Sequence, residues 1–388
     1  MSGASPSGPA LQPAPRGTLS LLSLANLIIG TGAFVLAGIL AGVSADLGVT
    51  VPAAGQAMTA YALSTAVLAP LLLALTGTLA RRDAMVLALL LFAAGNFVCA
   101  AAGHLGVLLL GRVLMGAGAM FTPIAAGLAV AVTPAAQRGR ALSIVFLGIS
   151  LSYVVGLPMG TWLAAQHSWR LPVQVVGAAS LLMLALLWWR LPRAQGAPGG
   201  GFKGASALLR QPEMALTLVL TGLYFTAIFT LFAYIGPVLQ ALGPLTPSEV
   251  AMTLVAVGLA GVAGTLIGGW ATDRYGAHRT LGWQLSFFVL GQAALPFTAG
   301  ALHWTLLALV TWGLSGFGMM PPQQSRLAAA APASAPLLLS LNTSMLYLGT
   351  ALGSVVGGLA SGPLGFSGVA WAGLPFLLLG FVTLLRRR

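Results

Sequence analysis

The sequence predicts an all-α membrane protein: twelve transmembrane helices in two pseudo-symmetric six-helix bundles around a central cavity. Three observations lead there: scarcity of charge, twelve apolar runs of spanning length, and a repeat relating the two halves. Of 388 residues, 58% are apolar and only 6% charged, where a soluble domain carries about a quarter charged. Too few charges are present to cover a soluble surface of this size, and the mean hydropathy of +0.96 places most of the chain in lipid.

A spanning helix needs about 20 apolar residues. Breaks at charge, proline and glycine clusters divide the chain into spans near 19–43, 53–76, 84–103, 106–132, 141–164, 171–190, 214–241, 249–272, 280–300, 303–325, 335–361 and 368–385. Residues 1–17, rich in Pro, Ser, Ala and Gly, read as a short disordered cytoplasmic tail rather than a cleaved leader, because the apolar stretch that follows is too long. Residues 18–190 form the N-terminal bundle. The Gly-, Pro- and Arg-bearing stretch 191–213 is a cytoplasmic linker, and 214–388 form the C-terminal bundle.

The basic residues orient the spans. Fifteen of the 17 Lys and Arg fall on one side of a twelve-span arrangement, Arg170 falls on the other, and Arg112 falls within a span. That asymmetry puts both termini in the cytoplasm of a bacterial-type inner membrane. The net charge of +12 is scattered between apolar runs, which argues against nucleic acid as a partner. The lone Cys99 and the dispersed His104, His167, His278 and His303 form no metal-ligand pattern, so neither a metal nor a cofactor is expected. Trp162, Trp169, Trp188, Trp189, Trp270 and Trp304 fall near span ends, as in an aromatic belt.

The halves match at a spacing of about 200. Gly148 to Gly156 and Gly349 to Gly357 share the pattern G-x-x-L-x-x-V-V-G. Gly116-Ala-Gly118 pairs with Gly316-Phe-Gly318, and Ala57-Met-Thr59 with Ala251-Met-Thr253. A duplicated bundle with a site between the repeats is how secondary transporters are built.

The loop after span 8 contains Gly269, Asp273, Arg274, Gly276 and Arg279, which resembles motif A of the major facilitator superfamily. The first copy is degenerate: Gly77 matches, Arg81 stands where the family has Asp, and Arg82 and Asp83 follow. Gly111-Arg112 to Gly116 in span 4 looks like motif B. Gly148, Gly156, Pro158 and Gly160 in span 5 look like motif C of the twelve-span drug/proton antiporter branch. The stretch from Ala54 to Gly77 resembles sugar-efflux and arabinose-efflux members.

The resemblance implies a monomeric efflux antiporter exchanging a small molecule for protons, with motif A as a latch of the outward-open state. It also implies that the bent, glycine-lined span 5 packs on span 8 and seals the cavity on one side. Arg112 carries a membrane-insertion cost of about 2.5–3.5 kcal/mol, so it should face the bundle interior or a wet cavity. The five acids, Asp46, Asp83, Glu213, Glu249 and Asp273, map to loops or span ends. Without a central carboxylate the cavity suits a neutral, zwitterionic or anionic solute better than an organic cation. Its candidate lining is Asn26, Tyr61, Tyr153, Tyr224, Gln284, Asn342 and Tyr347, with Trp312 at the repeat position of Arg112. Uncoupled diffusion and solute exchange stay open beside proton antiport. A polytopic membrane enzyme is the remote alternative, since its titratable residues are dispersed. No Gly-x-x-x-x-Gly-Lys-Ser/Thr loop is present, which excludes an ATP-driven pump as a lone chain.

Overall fold

Twelve helical spans account for nearly every described residue in the computed structural model, which describes residues 17–134, 137–191, 209–330 and 335–385. Most of the expected tail and linker and the last three arginines lie outside the described residues. Span 1 is Thr18–Leu47, span 2 Val51–Leu75, span 3 Arg81–Ala100, span 4 Leu105–Gly118 continued by Phe121–Ala131, and span 6 Arg170–Arg190. Span 5 runs through Arg138–Leu151, a π-helical turn Ser152–Gly156, and Leu157–Gln166. Span 7 is Pro212–Phe232, prolonged beyond a break by Ile235–Leu242. Span 8 is Pro247–Tyr275, span 9 Ala277–Ala294, and span 10 Leu302–Gly318 continued by Met320–Ala330. Span 11 lies within Ala335–Gly368, broken at Gly365, and span 12 is Leu374–Leu385. Among the described residues nine helices are individually long and apolar enough to cross a bilayer, the ninth running through spans 11 and 12.

Local chemistry sets the ends. Thr50 Oγ1 accepts the Ala53 N–H at the start of span 2. Thr246 and Glu249 form a reciprocal capping box at the start of span 8, satisfying donors that the first helical turn leaves open. Gly276 ends span 8 with φ 82° and ψ 153°, a conformation that essentially only glycine adopts. Pro158 has no N–H to give the preceding turn, and the chain absorbs this by widening Ser152–Gly156 into a π turn. The expected single span over 214–241 is instead broken at Ala233 and Tyr234.

The six-helix repeat is visible in the packing. Within the first half, span 1 packs on 5 and 6, span 2 on 4, and span 3 on 4 and 6. Within the second half, span 7 packs on 11 and 12, span 8 on 10, and span 9 on 10 and 12. Adding six to each member of the first set yields the second. The interface between halves obeys the same two-fold relation: span 2 meets span 11, span 8 meets span 5, and span 1 meets the prolongation of span 7.

The glycine pattern found in the sequence falls on that frame. A Cβ on Gly148 or Gly156 would strike Ser23 or Thr31 of span 1, and one on Gly349 or Gly357 would strike Gly222 or Thr230 of span 7. Both stripes bring a fifth or eleventh span against a first or seventh. Span 5 does pack on span 8 as expected, but its glycines are not what faces it: Gly148, Gly156 and Gly160 face span 1, with Gly160 over Val35. The contact with span 8 is made by a glycine of the other half, Gly258, whose Cβ would lie 2.6 Å from the Tyr153 carbonyl oxygen.

Large apolar side chains cover the outside, among them Leu266, Leu359 and Phe297, each at least 70% exposed. Trp162, Trp188, Trp189, Trp270 and Trp304 are exposed near span ends, as lipid-interface anchors are. Trp169 is not; it is buried beside Asp46.

Candidate functional site

Arg112 sits fully buried inside the first half. Its Nε donates to the Ala57 carbonyl of span 2 at 3.0 Å, Nη1 to the Gly32 carbonyl at 2.8 Å and Nη2 to the Ala33 carbonyl of span 1 at 2.6 Å. The guanidinium also lies over the Tyr61 ring, 4.7 Å from its centroid. One planar group therefore ties span 4 to spans 1 and 2 through backbone oxygens, whose second lone pairs stay available in a helix. The sequence shows no partner for this charge; carbonyls and an aromatic face supply it. Arg112 belongs to the interior of a half and does not line the space between halves.

The same correction applies to four other expected cavity residues. Asn26 donates to the Val145 carbonyl of span 5 and accepts from Thr122 of span 4. Asn342 of span 11 accepts from Thr221 of span 7, which also accepts from Gln323 of span 10. These are corresponding knots, spans 1-4-5 and spans 7-10-11. Trp312 donates its indole N–H to Gln292, which in turn donates to the carbonyls of Ala227 and Ala370. Tyr224 is wholly buried and tilted against Phe225. In lipid a polar side chain is cheapest where a neighbouring helix offers a partner, and Asn26, Asn342 and Trp312 turn inward for that reason, whereas the buried Tyr224 hydroxyl has no hydrogen-bond partner among the described residues. Gln284 packs against Gly318 within the second half.

Three of the expected residues do meet between the halves. Tyr61 and Tyr347 approach edge to face at 6.5 Å, and Tyr153 stacks on Phe34 at 4.9 Å. Tyr153 also contacts Phe232 and Phe317 of the second half at 5.8 and 5.1 Å. Phe34, Phe232 and Phe317 were missed from the sequence, since apolar aromatics carry no signal in an apolar chain. Beside this cluster lies a small, open cavity lined by Ser150, Tyr153, Phe232, Thr265 and Phe317 with aliphatic neighbours and glycines. No charged side chain lines it.

The contacts between halves run from this level toward the face opposite the termini. Tyr234, at the break in span 7, donates its hydroxyl to the Ser354 carbonyl at 2.9 Å, and Ser354 Oγ donates to the Gly55 carbonyl of span 2 at 3.1 Å. The Tyr234 ring fills the space a Cβ on Gly55 would take. A Cβ on Gly236 would lie 2.6 Å from the Gly38 carbonyl oxygen. These glycines let backbones of opposite halves touch and close the far face.

Motif A lies on the terminus-bearing face. Asp273 and Arg279 are exposed and form no ion pair among the described residues; Arg274 is exposed and lies 5.7 Å over Tyr275. Gly269 is half-buried beside Pro321. In the first copy Arg81 donates to the Gly127 carbonyl, Arg82 pairs with Asp83 at 3.2 Å and lies over Trp188, and Gly77 sits in the turn before span 3.

On the far face Arg170 pairs with Asp46 and donates to the carbonyls of Ala100 and Ala102, while Trp169 donates to Asp46 at 3.0 Å. This clasp joins spans 1, 3 and 6, and neutralises the one basic residue that departs from the charge asymmetry. The pair of opposite charges at far-side span ends was its only signal in the sequence. No group of three or more His, Cys, Asp or Glu that could hold a metal ion occurs among the described residues.

A bundle of two equivalent halves, with an uncharged cavity on their shared seam and one face closed, is the build of a secondary transporter. Residues 22–336 match the Major Facilitator Superfamily profile, and the chain belongs to that family. It is 32% identical to the inner membrane transport protein YdhP of Escherichia coli (strain K12) over 93% of this chain and 94% of that one. It is 26% identical to the MFS-type transporter YbcL of Bacillus subtilis (strain 168), over 91% of each. Among solved structures, a bacterial homolog of the human lysosomal transporter Spinster, in an inward-facing and occupied conformation, superposes with TM-score 0.76 over 98% of this chain and 96% of that one, at 17% identity. The Escherichia coli xylose transporter XylE, in a partially occluded inward-open conformation, superposes with TM-score 0.74 over 96% and 97%, at 13% identity. The chain is a multi-pass membrane transporter of solutes and not an enzyme.

Proposed function

We propose that the chain exports a small neutral, zwitterionic or anionic amphiphile by alternating access, acting as a monomer in a bacterial inner membrane with both termini cytoplasmic. The observation that carries this is the seam: an uncharged cavity between the halves, closed toward the far face by Tyr234, Ser354, Gly55, Gly236 and Gly258. With the basic loops inside, the closed face is the outer one and the state is inward-facing. The exposed Asp273 and Arg279 fit a motif A latch that is disengaged in this state and engages when the halves rock the other way.

All five carboxylates stand at span ends, and Arg112 is committed to three carbonyls. This favours solute exchange or uncoupled movement. Exchange for protons is the second reading, favoured by the motif A and motif C resemblances. Reconstituted protein with a panel of labelled compounds, with and without an imposed pH gradient, tests both. Neutral or anionic amphiphiles are expected to compete better than quaternary ammonium compounds, and uptake to be insensitive to the gradient. Tight binding of a lipophilic cation overturns the substrate class; gradient-driven accumulation establishes the second reading.

A further inference from the structure

We infer that the transported solute is an uncharged aromatic amphiphile, held on the seam by Tyr153, Phe232 and Phe317, and that it is not a sugar. This rests on the transport function proposed for the same seam. The cavity wall is continuous with a cluster of rings from both halves: Phe34 on Tyr153, Tyr153 on Phe317, and Phe232 stacked on Trp312 at 6.3 Å with the planes 10° apart. Such a wall offers ring faces and edges that favour another ring in offset or edge-on contact.

Its hydrogen-bonding capacity is small and specific. Only Ser150, Tyr153 and Thr265 bring side-chain hydroxyls to the cavity, and Thr265 already donates to the Gly261 carbonyl within its own helix at 2.9 Å. The Tyr153 hydroxyl forms no hydrogen bond among the described residues, so a donor and acceptor is left for a ligand group. A hexose, with a hydroxyl on nearly every carbon, would bury most of them unpaired, and each unpaired group carries a desolvation penalty. A cation would find no carboxylate on the cavity wall. What fits is a ring-bearing body with one or two polar groups at one edge.

Phe232 and Tyr153 come from opposite halves, touch edge to face at 5.8 Å, and both line the cavity. A ligand seated in the cavity against this pair therefore touches both halves, which lets binding influence the equilibrium between states.

The test uses the full-length purified protein and three probes of related shape or contrasting polarity: triphenylphosphine oxide (neutral), tetraphenylphosphonium (cationic) and glucose. Binding is read as saturable protection against thermal unfolding in one detergent, so that partition into micelles is common to all samples. The oxide is expected to protect the native chain, the phosphonium to bind about tenfold more weakly, and glucose to have no effect. Tyr153→Leu and Phe317→Leu are expected to weaken oxide binding about tenfold, and Tyr153→Phe about threefold. Should either leucine variant fail to fold, Tyr153→Phe, which keeps the ring and removes only the hydroxyl, carries the comparison.

Protection by glucose without protection by the oxide overturns the inference. So does equal oxide binding by the native chain and every variant. Proteoliposomes separate the two levels: carriage of labelled glucose overturns the aromatic substrate and leaves export by alternating access standing. Failure to move the oxide, glucose and tetraphenylborate alike overturns both.

Discussion

At the scale of single residues, the clearest result is how a fully buried arginine is accommodated without a carboxylate. Arg112 spends Nε, Nη1 and Nη2 on three carbonyls of two neighbouring helices. Lysine carries one ammonium on a flexible stem and cannot reproduce that planar fork. Arg112→Lys is therefore expected to cost about 2 kcal/mol, near one lost charge-assisted hydrogen bond, seen as a lower melting temperature in detergent together with reduced transport. An unchanged melting temperature would contradict the three-carbonyl knot. Gly276 offers a second test. Its φ of 82° and ψ of 153° make Gly276→Ala expected to cost about 1–3 kcal/mol, read in the same assay. Arg112 was legible in the sequence as a charge inside a span, but its partners were not, because backbone carbonyls have no letter of their own. Asn26 and Asn342 were misplaced on the cavity wall for the same reason: sequence shows that a buried amide needs a partner, not which side of the helix holds one.

At the scale of elements, spans 5 and 11 are fitted to spans 1 and 7 by glycine. A Cβ on Gly148 would meet the Ser23 backbone, whereas one on Gly127 would meet nothing within 4 Å. Gly148→Ala is expected to lose about 1–3 kcal/mol through overpacking, while Gly127→Ala is expected to be neutral or to gain up to about 1 kcal/mol from helix propensity. Thermal unfolding of the two variants side by side checks this, and equal effects would count against the stripe. The glycine repeat itself was readable, since it recurs at a spacing of 201 in corresponding spans. Its direction was not: a stripe of small residues marks a close approach without naming the neighbour, and the glycines face span 1 while span 8 lies against another side of span 5. The break in span 7 at Tyr234 was equally hidden, because the residues on both sides are apolar enough for one continuous span.

At the scale of the whole molecule, the two-fold relation between halves decides what motion is possible. Spans 2 and 11 meet as spans 8 and 5 do, so the halves share two equivalent contacts, about which the proposed alternating access would rock them. In the present state those contacts close the far face, with Tyr234 in the space beside Gly55. Gly55→Ala places a methyl where the Tyr234 ring lies and is expected to disfavour closure of that face by overpacking. A rigid channel would respond to the same substitution only by losing stability.

Spin-label distances across both faces of the reconstituted protein distinguish these outcomes most directly, with one pair at Ala45 and Ser248 on the far face and another at Thr78 and Ala329 on the terminus-bearing face. A transporter that alternates about the seam should show, on Gly55→Ala, a longer far-face distance together with a shorter distance on the opposite face. Distances that stay fixed on both faces, or that lengthen together, would contradict alternating access in this chain.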